Sequence, residues 1–265
     1  MIRNIASRYF GKFASYAFAP KIQKIINSTY VKIFDIDLRE FQSVQSYPTL
    51  NALFTRELRV KREFDTSPKT LISPCDSLIM EQGNVQNNSA LQIKGMVYCV
   101  SELLGEVLGE VLGEGYVYTN YYLSPRDYHR YHAPCDMWVE EVRYFAGELL
   151  PVNRPSLLKN HNLFIRNERV VVVAKDNKGN KMFYVAVGAL NVGQMVLNFE
   201  PRVQTNKKAN INTSYTYSEP IFVAKGEEMG MFKMGSTILT FQRDYTPLTH
   251  IGEKVRFGDS VGEYH

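Results

Sequence analysis

The sequence predicts an α+β fold in which N-terminal amphipathic helices precede a mainly antiparallel β body. Apolar residues recur at helical spacing in the first part of the chain. After Pro68 the chain consists of short β-rich runs separated by Gly, Asn and Asp turns, without the regularly alternating helices of a parallel sheet. We therefore expect a helical region over residues 1–64 and a β-rich catalytic body over residues 65–265.

Length and composition are those of a folded protein with a sizeable core. The chain has 265 residues, of which 45% are hydrophobic and 22% charged. Cys75, Cys99 and Cys135 form no Cys-x-x-Cys pair, which indicates a reducing compartment and argues against a disulfide or zinc framework. No apolar run approaches the roughly 20 residues that cross a bilayer. We expect a protein on the cytoplasmic side, either soluble or lying on a membrane.

The N-terminal segment is basic and amphipathic. At 100° per residue, the apolar residues of segment 2–17 fall within an arc of roughly 140°. Six cationic residues precede Asp35, the first acidic one. Such a helix suits an anionic membrane surface, although its apolar face would equally suit the protein's own core or a twin subunit, and its composition also fits a transit peptide. The apolar residues are Ile2, Ile5, Ala6, Tyr9, Phe10, Phe13 and Tyr16, and the cations are Arg3, Arg8, Lys12, Lys21, Lys24 and Lys32.

The remaining elements follow from periodicity and turn residues. We expect a helix within Phe41–Glu63, followed by a basic connector whose arginines either bind phosphate or form a solvated face. A strand followed by a helix is expected over Gln92–Leu104, and the Leu-Gly-Glu-Val repeat of residues 104–114 has a period too short for a solenoid. The expected strands are Tyr116–Leu123, Trp138–Phe145, Leu163–Lys175, Lys181–Val187, Val187–Phe199, Ile221–Ala224, Ser236–Gln242 and Lys254–Glu263.

The bond between Gly235 and Ser236 is one that a neighbouring side chain can break. A serine hydroxyl that attacks the preceding glycine carbonyl converts the amide into an ester. Elimination of that ester by a base leaves dehydroalanine, which hydrolyses to a pyruvoyl group. Glycine suits the acyl position because it tolerates backbone conformations that other residues resist. By itself the pair is more typical of an ordinary turn that enters a strand.

Five stretches in the same order resemble the phosphatidylserine decarboxylases, which are pyruvoyl enzymes that cut themselves at such a bond. The resemblance covers roughly residues 50 to 260. One departure is Ser77, since the family usually has Gly after the aspartate. The stretches are Phe54-Thr55-Arg56-Glu57-Leu58-Arg59, Ser73-Pro74-Cys75-Asp76, the run from Tyr122 to His132 (YLSPRDYHRYH), the run from Val187 to Gly193 (VGALNVG) and the run from Gly226 to Thr237 (GEEMGMFKMGST).

The resemblance implies a function and a set of site residues. Asp76, His132 and Ser236 would form a triad in which the imidazole takes the serine proton and the carboxylate orients the imidazole. Cleavage would leave residues 1–235 as the β chain and 236–265 as the α chain. The pyruvoyl cofactor derived from Ser236 would form a Schiff base with phosphatidylserine and release CO2, giving phosphatidylethanolamine. His129 resembles the family histidine that contacts substrate and assists proton transfer.

The same resemblance implies a peripheral protein of the cell membrane, binding an anionic surface from the cytoplasmic side, with its two chains held together and paired in a homodimer. Nucleic acid, nucleotide and pyridoxal cofactors are not expected, since no phosphate-cradling motif is present. His129 and His132 suggest no third metal ligand, so we expect no metal. Two alternatives stay open at this point: a serine esterase or lipase that keeps the triad without cleavage, and a non-enzymatic β module that binds membranes or nucleic acid.

Overall fold

The computed structural model describes residues 2–106, 112, 115–190, 194–206, 211–233 and 236–265, without the side chains of residues 2–8 and 236. Two helices open the chain, and Pro20 begins the second of them. The third is five residues long, and the Thr49 hydroxyl caps it by accepting from the Ala52 amide at 3.0 Å. The helices are α1 (Ile2–Ser15), α2 (Pro20–Phe34), α3 (Leu50–Phe54), α4 (Val100–Leu104), α5 (Arg154–Leu157) and α6 (Leu163–Arg166), with a 3-10 turn at Val44–Ser46.

Sixteen strands make up most of the described chain after residue 69. They are β1 (Thr70–Ile72), β2 (Ser77–Asn84), β3 (Ser89–Ile93), β4 (Met96–Cys99), β5 (Tyr116–Leu123), β6 (Arg130–His132), β7 (Met137–Phe145), β8 (Arg169–Lys175), β9 (Lys181–Gly188), β10 (Gln194–Leu197), β11 (Thr213–Val223), β12 (Glu228–Lys233), β13 (Ser236–Arg243), β14 (Tyr245–Pro247), β15 (Lys254–Val255) and β16 (Ser260–Tyr264). The principal sheet has the order β11-β7-β8-β9-β13-β5-β2-β15, and every pairing in it is antiparallel. The α+β prediction with a β-rich body is confirmed.

The strand that begins at Ser236 lies in the middle of the principal sheet. β13 pairs with β5 along its whole length and with β9 over Ser236–Phe241. Of the three later strands, β15 pairs with β2, and β16 pairs with both β1 and β14. A C-terminal piece that began at residue 236 would therefore be held on several sides by strands that precede it, because each pairing contributes ladder hydrogen bonds and side-chain contacts.

Several sequence-based element bounds were wrong. The helix expected within 41–63 is only the 3-10 turn and α3, because Pro48 interrupts the segment. The run Leu163–Lys175 is a short helix before β8, and its buried Leu163 and Phe164 show that an apolar run alone does not separate helix from strand. β11 is much longer than Ile221–Ala224. Most of the 104–114 repeat lies outside the described residues.

The N-terminal helices, called here the helical front (residues 2–54), pack on one another through a small apolar cluster. Ala14 is fully buried with Tyr47, Leu50 and Leu53, and Phe10 packs against this cluster. Further aromatic and aliphatic side chains of α1 and α2 are exposed. They are Tyr9 (70% exposed), Phe13 (44%), Ile22 (51%), Ile25 (66%) and Ile33 (68%), with Tyr16 (62%) just after α1.

Candidate active site

A single turn after β5 brings both sequence-predicted histidines into the interior. The Asp127 carboxylate accepts from the amide and the hydroxyl of Ser124, each at 2.6 Å, and closes the turn as aspartate side chains commonly do. Burial raises the pKa of Asp127, while the hydrogen bonds from Ser124 lower it. His129 ends the turn and His132 ends β6, and both side chains are buried.

His132 has a partner at each ring nitrogen. Nδ1 lies 3.0 Å from the carbonyl oxygen of Gly226, which can only accept, so Nδ1 carries the proton. In the neutral ring Nε2 is then the acceptor, and it lies 3.1 Å from the Tyr128 hydroxyl. Burial lowers the pKa of His132 to about 4, against an opposing contribution from the Gly226 carbonyl and from Asp76. The imidazole is therefore neutral at pH 7.

Two contacts, one from the glycine Gly226 and one from the ring of Phe257, hold the ring of His132 in place. Gly226 has φ +76°, and a Cβ there would lie 2.2 Å from the ring of Phe64, so only glycine fits. Phe257 stacks on the imidazole with ring centroids 3.6 Å apart and planes 13° apart. Since both neighbours are fixed by packing, the orientation of the imidazole is fixed as well.

Asp76 lies in the same cluster but directs its oxygens elsewhere. Arg62 donates to both carboxylate oxygens, to Oδ2 at 3.0 Å, and the Phe257 amide donates to Oδ1 at 2.7 Å. Phe257 thus contacts Asp76 through its backbone and His132 through its ring. The described hydrogen bonds include none between Asp76 and His132, so the carboxylate acts on this imidazole through its charge, which raises the pKa of His132.

His129 differs from His132 in having one occupied nitrogen. Its Nδ1 donates to the Asp127 carbonyl at 2.7 Å, and its Nε2 is buried without a hydrogen-bond partner among the described residues. The ring contacts that of Phe54, with centroids 3.9 Å apart. Burial, followed by the charge of Arg56, lowers the pKa of His129 to about 3. This leaves a neutral imidazole with an available lone pair on Nε2.

Ser236 lies beside this turn by its backbone. It pairs with Leu123, the residue just before the turn, and with Gly188 on the other side. Its side chain and the whole of Gly235 lie outside the described residues. On β12 the Phe232 amide donates to the carbonyl of His129 at 2.9 Å, whereas His132 pairs with Glu228. Residue 236 therefore follows the His129 contact by four residues and the His132 contact by eight.

Two cavities flank the turn. An apolar cavity of about 550 Å³ is lined by α1, α2 and α3 together with Pro125 and Leu190. A charged cavity of about 720 Å³ lies against Asp76, Tyr128 and Arg62. No group of three His, Cys, Asp or Glu side chains within the described ranges is placed to hold a metal ion. Of the helices that the structure describes, none has the length and apolarity needed to cross a membrane.

The sequence alone did not identify the residues that hold the predicted site residues. Phe257 and Gly226 are distant in sequence from His132, and no local pattern connects them. Arg62 belongs to the basic connector, but its side chain is largely buried on Asp76 instead of being part of a solvated face. Tyr128 was within reach of sequence reasoning, because it lies in the same motif as the two histidines.

The fold and the site together define a class: a β-sheet protein with two buried neutral imidazoles beside a serine that begins a central strand, an arrangement suited to proton transfer. The comparisons identify the family. The sequence model of the family described as phosphatidylserine decarboxylase matches residues 50–263. The chain belongs to the phosphatidylserine decarboxylase family.

Named relatives match most or all of this chain. The phosphatidylserine decarboxylase proenzyme of Helicobacter pylori strain 26695 is 55% identical, over 100% of this chain and 98% of the relative. The proenzyme of Campylobacter jejuni is 41% identical, over 97% of this chain and 98% of the relative. The proenzyme of Escherichia coli O9:H4 is 35% identical, over 82% of this chain and 70% of the relative.

Proposed function

We propose that this chain cleaves itself between Gly235 and Ser236 and then converts phosphatidylserine into phosphatidylethanolamine and CO2. The observation that carries the proposal is the position of Ser236 at the start of a central strand, paired with Leu123 directly before the turn that bears His129 and His132. Family membership supports the reaction, and relatives named proenzymes support the processing step.

In the self-cleavage step, His132 takes the proton of the Ser236 hydroxyl at Nε2. Its Nδ1 proton is held by the Gly226 carbonyl, so the tautomer needed for a base at Nε2 is already present. The negative charge of Asp76 favours the imidazolium that forms. The Tyr128 hydroxyl is the described hydrogen-bond partner of His132 Nε2, so the Ser236 hydroxyl replaces it there before the proton is transferred.

In the decarboxylation step, Nε2 of the neutral His129 accepts the proton that the substrate ammonium gives up and returns a proton to the substrate carbon that loses CO2. The residues present fit a pyruvoyl group at position 236, because a buried and unpartnered imidazole nitrogen lies in the turn beside that backbone position. When formed, the pyruvoyl group supplies the carbonyl that accepts electrons as CO2 leaves. The protein surroundings bury the imidazole, hold it neutral and exclude water from it.

The surroundings of the turn suit a lipid. Phe54 and Pro125 are among the residues that line the apolar cavity, so an acyl chain within it would lie beside the turn that carries His129. The exposed aromatic and isoleucine side chains of α1 and α2, with lysines among them, suit a membrane interface. We propose that these helices bind the cytoplasmic face of the cell membrane and admit substrate from it.

Replacing the serine tests the cleavage step. Ser236→Ala should leave one full-length, inactive chain on a denaturing gel, whereas the native protein gives two fragments, 1–235 and 236–265. The smaller native fragment should have no free N-terminal amine, as intact mass and amine labelling would show. Ser260→Ala, an exposed serine of the same piece, is the matched control and should process normally. Processing at this bond in Ser236→Ala would refute the assignment.

Two assays separate the alternatives. Release of CO2 from phosphatidylserine in vesicles distinguishes the decarboxylase from a membrane-binding module, and persistence of a single chain with ester hydrolysis would indicate the esterase.

Co-sedimentation with anionic vesicles should fall on replacing Phe13 and Ile25 together by glutamate, compared with the buried-face variant Ala14→Gly. The proposed homodimer predicts twice the chain mass by light scattering.

A further inference from the structure

We propose that Phe54, Thr55 and Arg56, called here the α3 clamp, are positioning residues that hold the His129 imidazole in its proton-transferring orientation. The inference rests on the role proposed for His129 above. It assigns a function to a motif that the chemistry of cleavage and decarboxylation leaves unused.

Each residue of the α3 clamp contacts the segment that bears His129. The Phe54 ring lies against the imidazole, with centroids 3.9 Å apart, and is 1% exposed. The Thr55 carbonyl accepts from Arg130 Nε at 3.0 Å. Arg56 Nη2 donates to the carbonyls of Arg126 and Asp127, at 2.6 and 3.0 Å. Three consecutive residues thereby fix the backbone on both sides of His129 and the face of its ring.

The Asp127 carbonyl connects Arg56 to the imidazole. This single oxygen accepts from His129 Nδ1 at 2.7 Å and from Arg56 Nη2 at 3.0 Å, which uses both of its lone pairs. The first bond fixes the tautomer with the proton on Nδ1. The second bond, from Arg56, keeps the Asp127 carbonyl within hydrogen-bond distance of Nδ1. Movement of Arg56 would therefore release the hydrogen bond that directs Nε2.

Burying the Arg56 guanidinium costs free energy that a purely structural role does not explain. Its side chain is 2% exposed, it stacks over the ring of Phe41 at 4.6 Å, and no carboxylate among the described residues lies within ion-pair distance of it. Burial lowers the pKa of Arg56. An apolar side chain of similar volume would cost less free energy to bury, so stability gives no reason for a guanidinium here.

The charged groups around His129 explain why a cation is useful. Arg56 lowers the pKa of His129 by charge repulsion, in addition to burial, and the Asp127 carbonyl is the only opposing contribution described. Arg130 on the other side is paired with Glu57 and Glu228. A neutral imidazole is the state in which Nε2 can accept a proton, and Arg56 favours that state.

The test compares Arg56→Met, Arg56→Lys and the control Arg166→Met, which removes a half-exposed arginine paired with Glu148. Each variant is purified as processed enzyme and assayed on phosphatidylserine in mixed micelles. For Arg56→Met we expect kcat to fall about 10- to 100-fold, because misplaced catalytic groups cost about that much. KM should change little. The acid limb of the pH profile should move to higher pH, since the pKa of His129 rises when the neighbouring charge is lost.

Arg56→Lys should keep the acid limb near its native pH and lose part of kcat, since an ammonium retains the charge but lacks the planar fork. A processed Arg56→Met enzyme whose kcat and pH profile match Arg166→Met would overturn the proposal. An equal loss of kcat in Arg56→Lys and Arg56→Met without any pH shift would overturn it as well.

A second measurement does not depend on activity or processing. In the Ser236→Ala precursor labelled with ¹⁵N-histidine, the His129 resonances should show the Nδ1-protonated tautomer. Adding Arg56→Met should produce tautomer exchange and a raised pKa at His129, whereas the resonances of the exposed His250 should stay unchanged. Unchanged His129 resonances would overturn the clamp even if the native enzyme is an active decarboxylase. A native enzyme that releases no CO2 would instead refute the proposed function.

Discussion

His129 and His132 are three residues apart, both buried and both neutral, yet their surroundings differ. His132 has two hydrogen-bond partners and a ring stacked on Phe257, which belongs to the segment after the proposed cleavage bond. Among the described residues, the His129 ring has one hydrogen-bond partner, the Asp127 carbonyl, and it lies against the tilted ring of Phe54 from the helical front. One imidazole is supported by the C-terminal segment and the other by the N-terminal one.

The difference suggests a division of labour. The support of His132 includes Phe257, which follows the proposed cleavage bond, and Asp76 adds a negative charge that favours the imidazolium. This suits a base that acts once, on Ser236. The described hydrogen-bond and ring partners of His129 lie before residue 236, and none of the described residues bonds to its Nε2. This suits a group that acts in each turnover, on substrate beside the apolar cavity.

The strongest test of that division replaces each histidine by alanine. His132→Ala should leave an uncut chain, because loss of a general base costs about 10²- to 10⁴-fold in rate. His129→Ala should still give two chains, but the processed enzyme should release CO2 slower by a similar factor. Gel analysis of processing over time, followed by vesicle assays, measures both.

The backbone contacts of β12 place His129 nearer to Ser236 than His132, so they favour the opposite assignment of roles. Phe232, which contacts the carbonyl of His129, is closer in sequence to Ser236 than Glu228, the strand partner of His132. If His129→Ala blocks cleavage while His132→Ala is cut normally, the two roles are exchanged.

Removing the ring that supports His132 should give the next largest effect. Phe257→Ala opens a cavity at a buried site and should lower the free energy of unfolding by about 3–5 kcal/mol. It should also slow self-cleavage, because His132 loses the ring that orients it. Val261→Ala, a buried residue of the same piece without a described contact to His132, is the control. Equal cleavage rates in the two variants, measured on freshly folded protein, would show that Phe257 has no positioning role.

The sequence predicted the β-rich body because its turns and alternating runs are local features. The Tyr122–His132 run likewise pointed to both histidines and the Gly226–Thr237 run to Ser236, since the residues of each motif are contiguous. The supports of His132 could not be predicted in this way. Phe257 reaches His132 only because β15 pairs with β2 directly beyond Asp76, and Arg62 points inward because the folded connector passes over the same carboxylate. Such contacts depend on tertiary packing and leave no periodic signal.

The pH dependence of stability should distinguish these buried histidines from exposed ones. The pKa of His132 is lowered to about 4 and that of His129 to about 3, both from 6.5. Because the unfolded chain then binds more protons, the free energy of unfolding falls as the pH drops below 6.5. Between pH 6.5 and 5 each imidazole should cost about 2 kcal/mol at 1.36 kcal/mol per pH unit.

Urea denaturation of the Ser236→Ala precursor at pH 7, 6 and 5 measures this loss. His129→Asn and His132→Asn should each recover about 2 kcal/mol of it, whereas His250→Asn, whose side chain is 81% exposed, should recover none. A variant that keeps the full pH dependence would show that its histidine is not buried in the neutral form.

The smallest effect is expected from the Tyr128 hydroxyl, which bonds to His132 but not to His129 among the described contacts. Tyr128→Phe removes the donor to His132 Nε2 and should lower the free energy of unfolding by about 1 kcal/mol, the net value of one hydrogen bond. Nε2 of His132 would then lack its described hydrogen-bond partner, as Nε2 of His129 does. Self-cleavage should proceed at least as fast as in the native chain, because the Ser236 hydroxyl no longer competes with the phenol. A Tyr128→Phe chain that folds but stays uncut would mean that the phenol itself takes part in moving the serine proton.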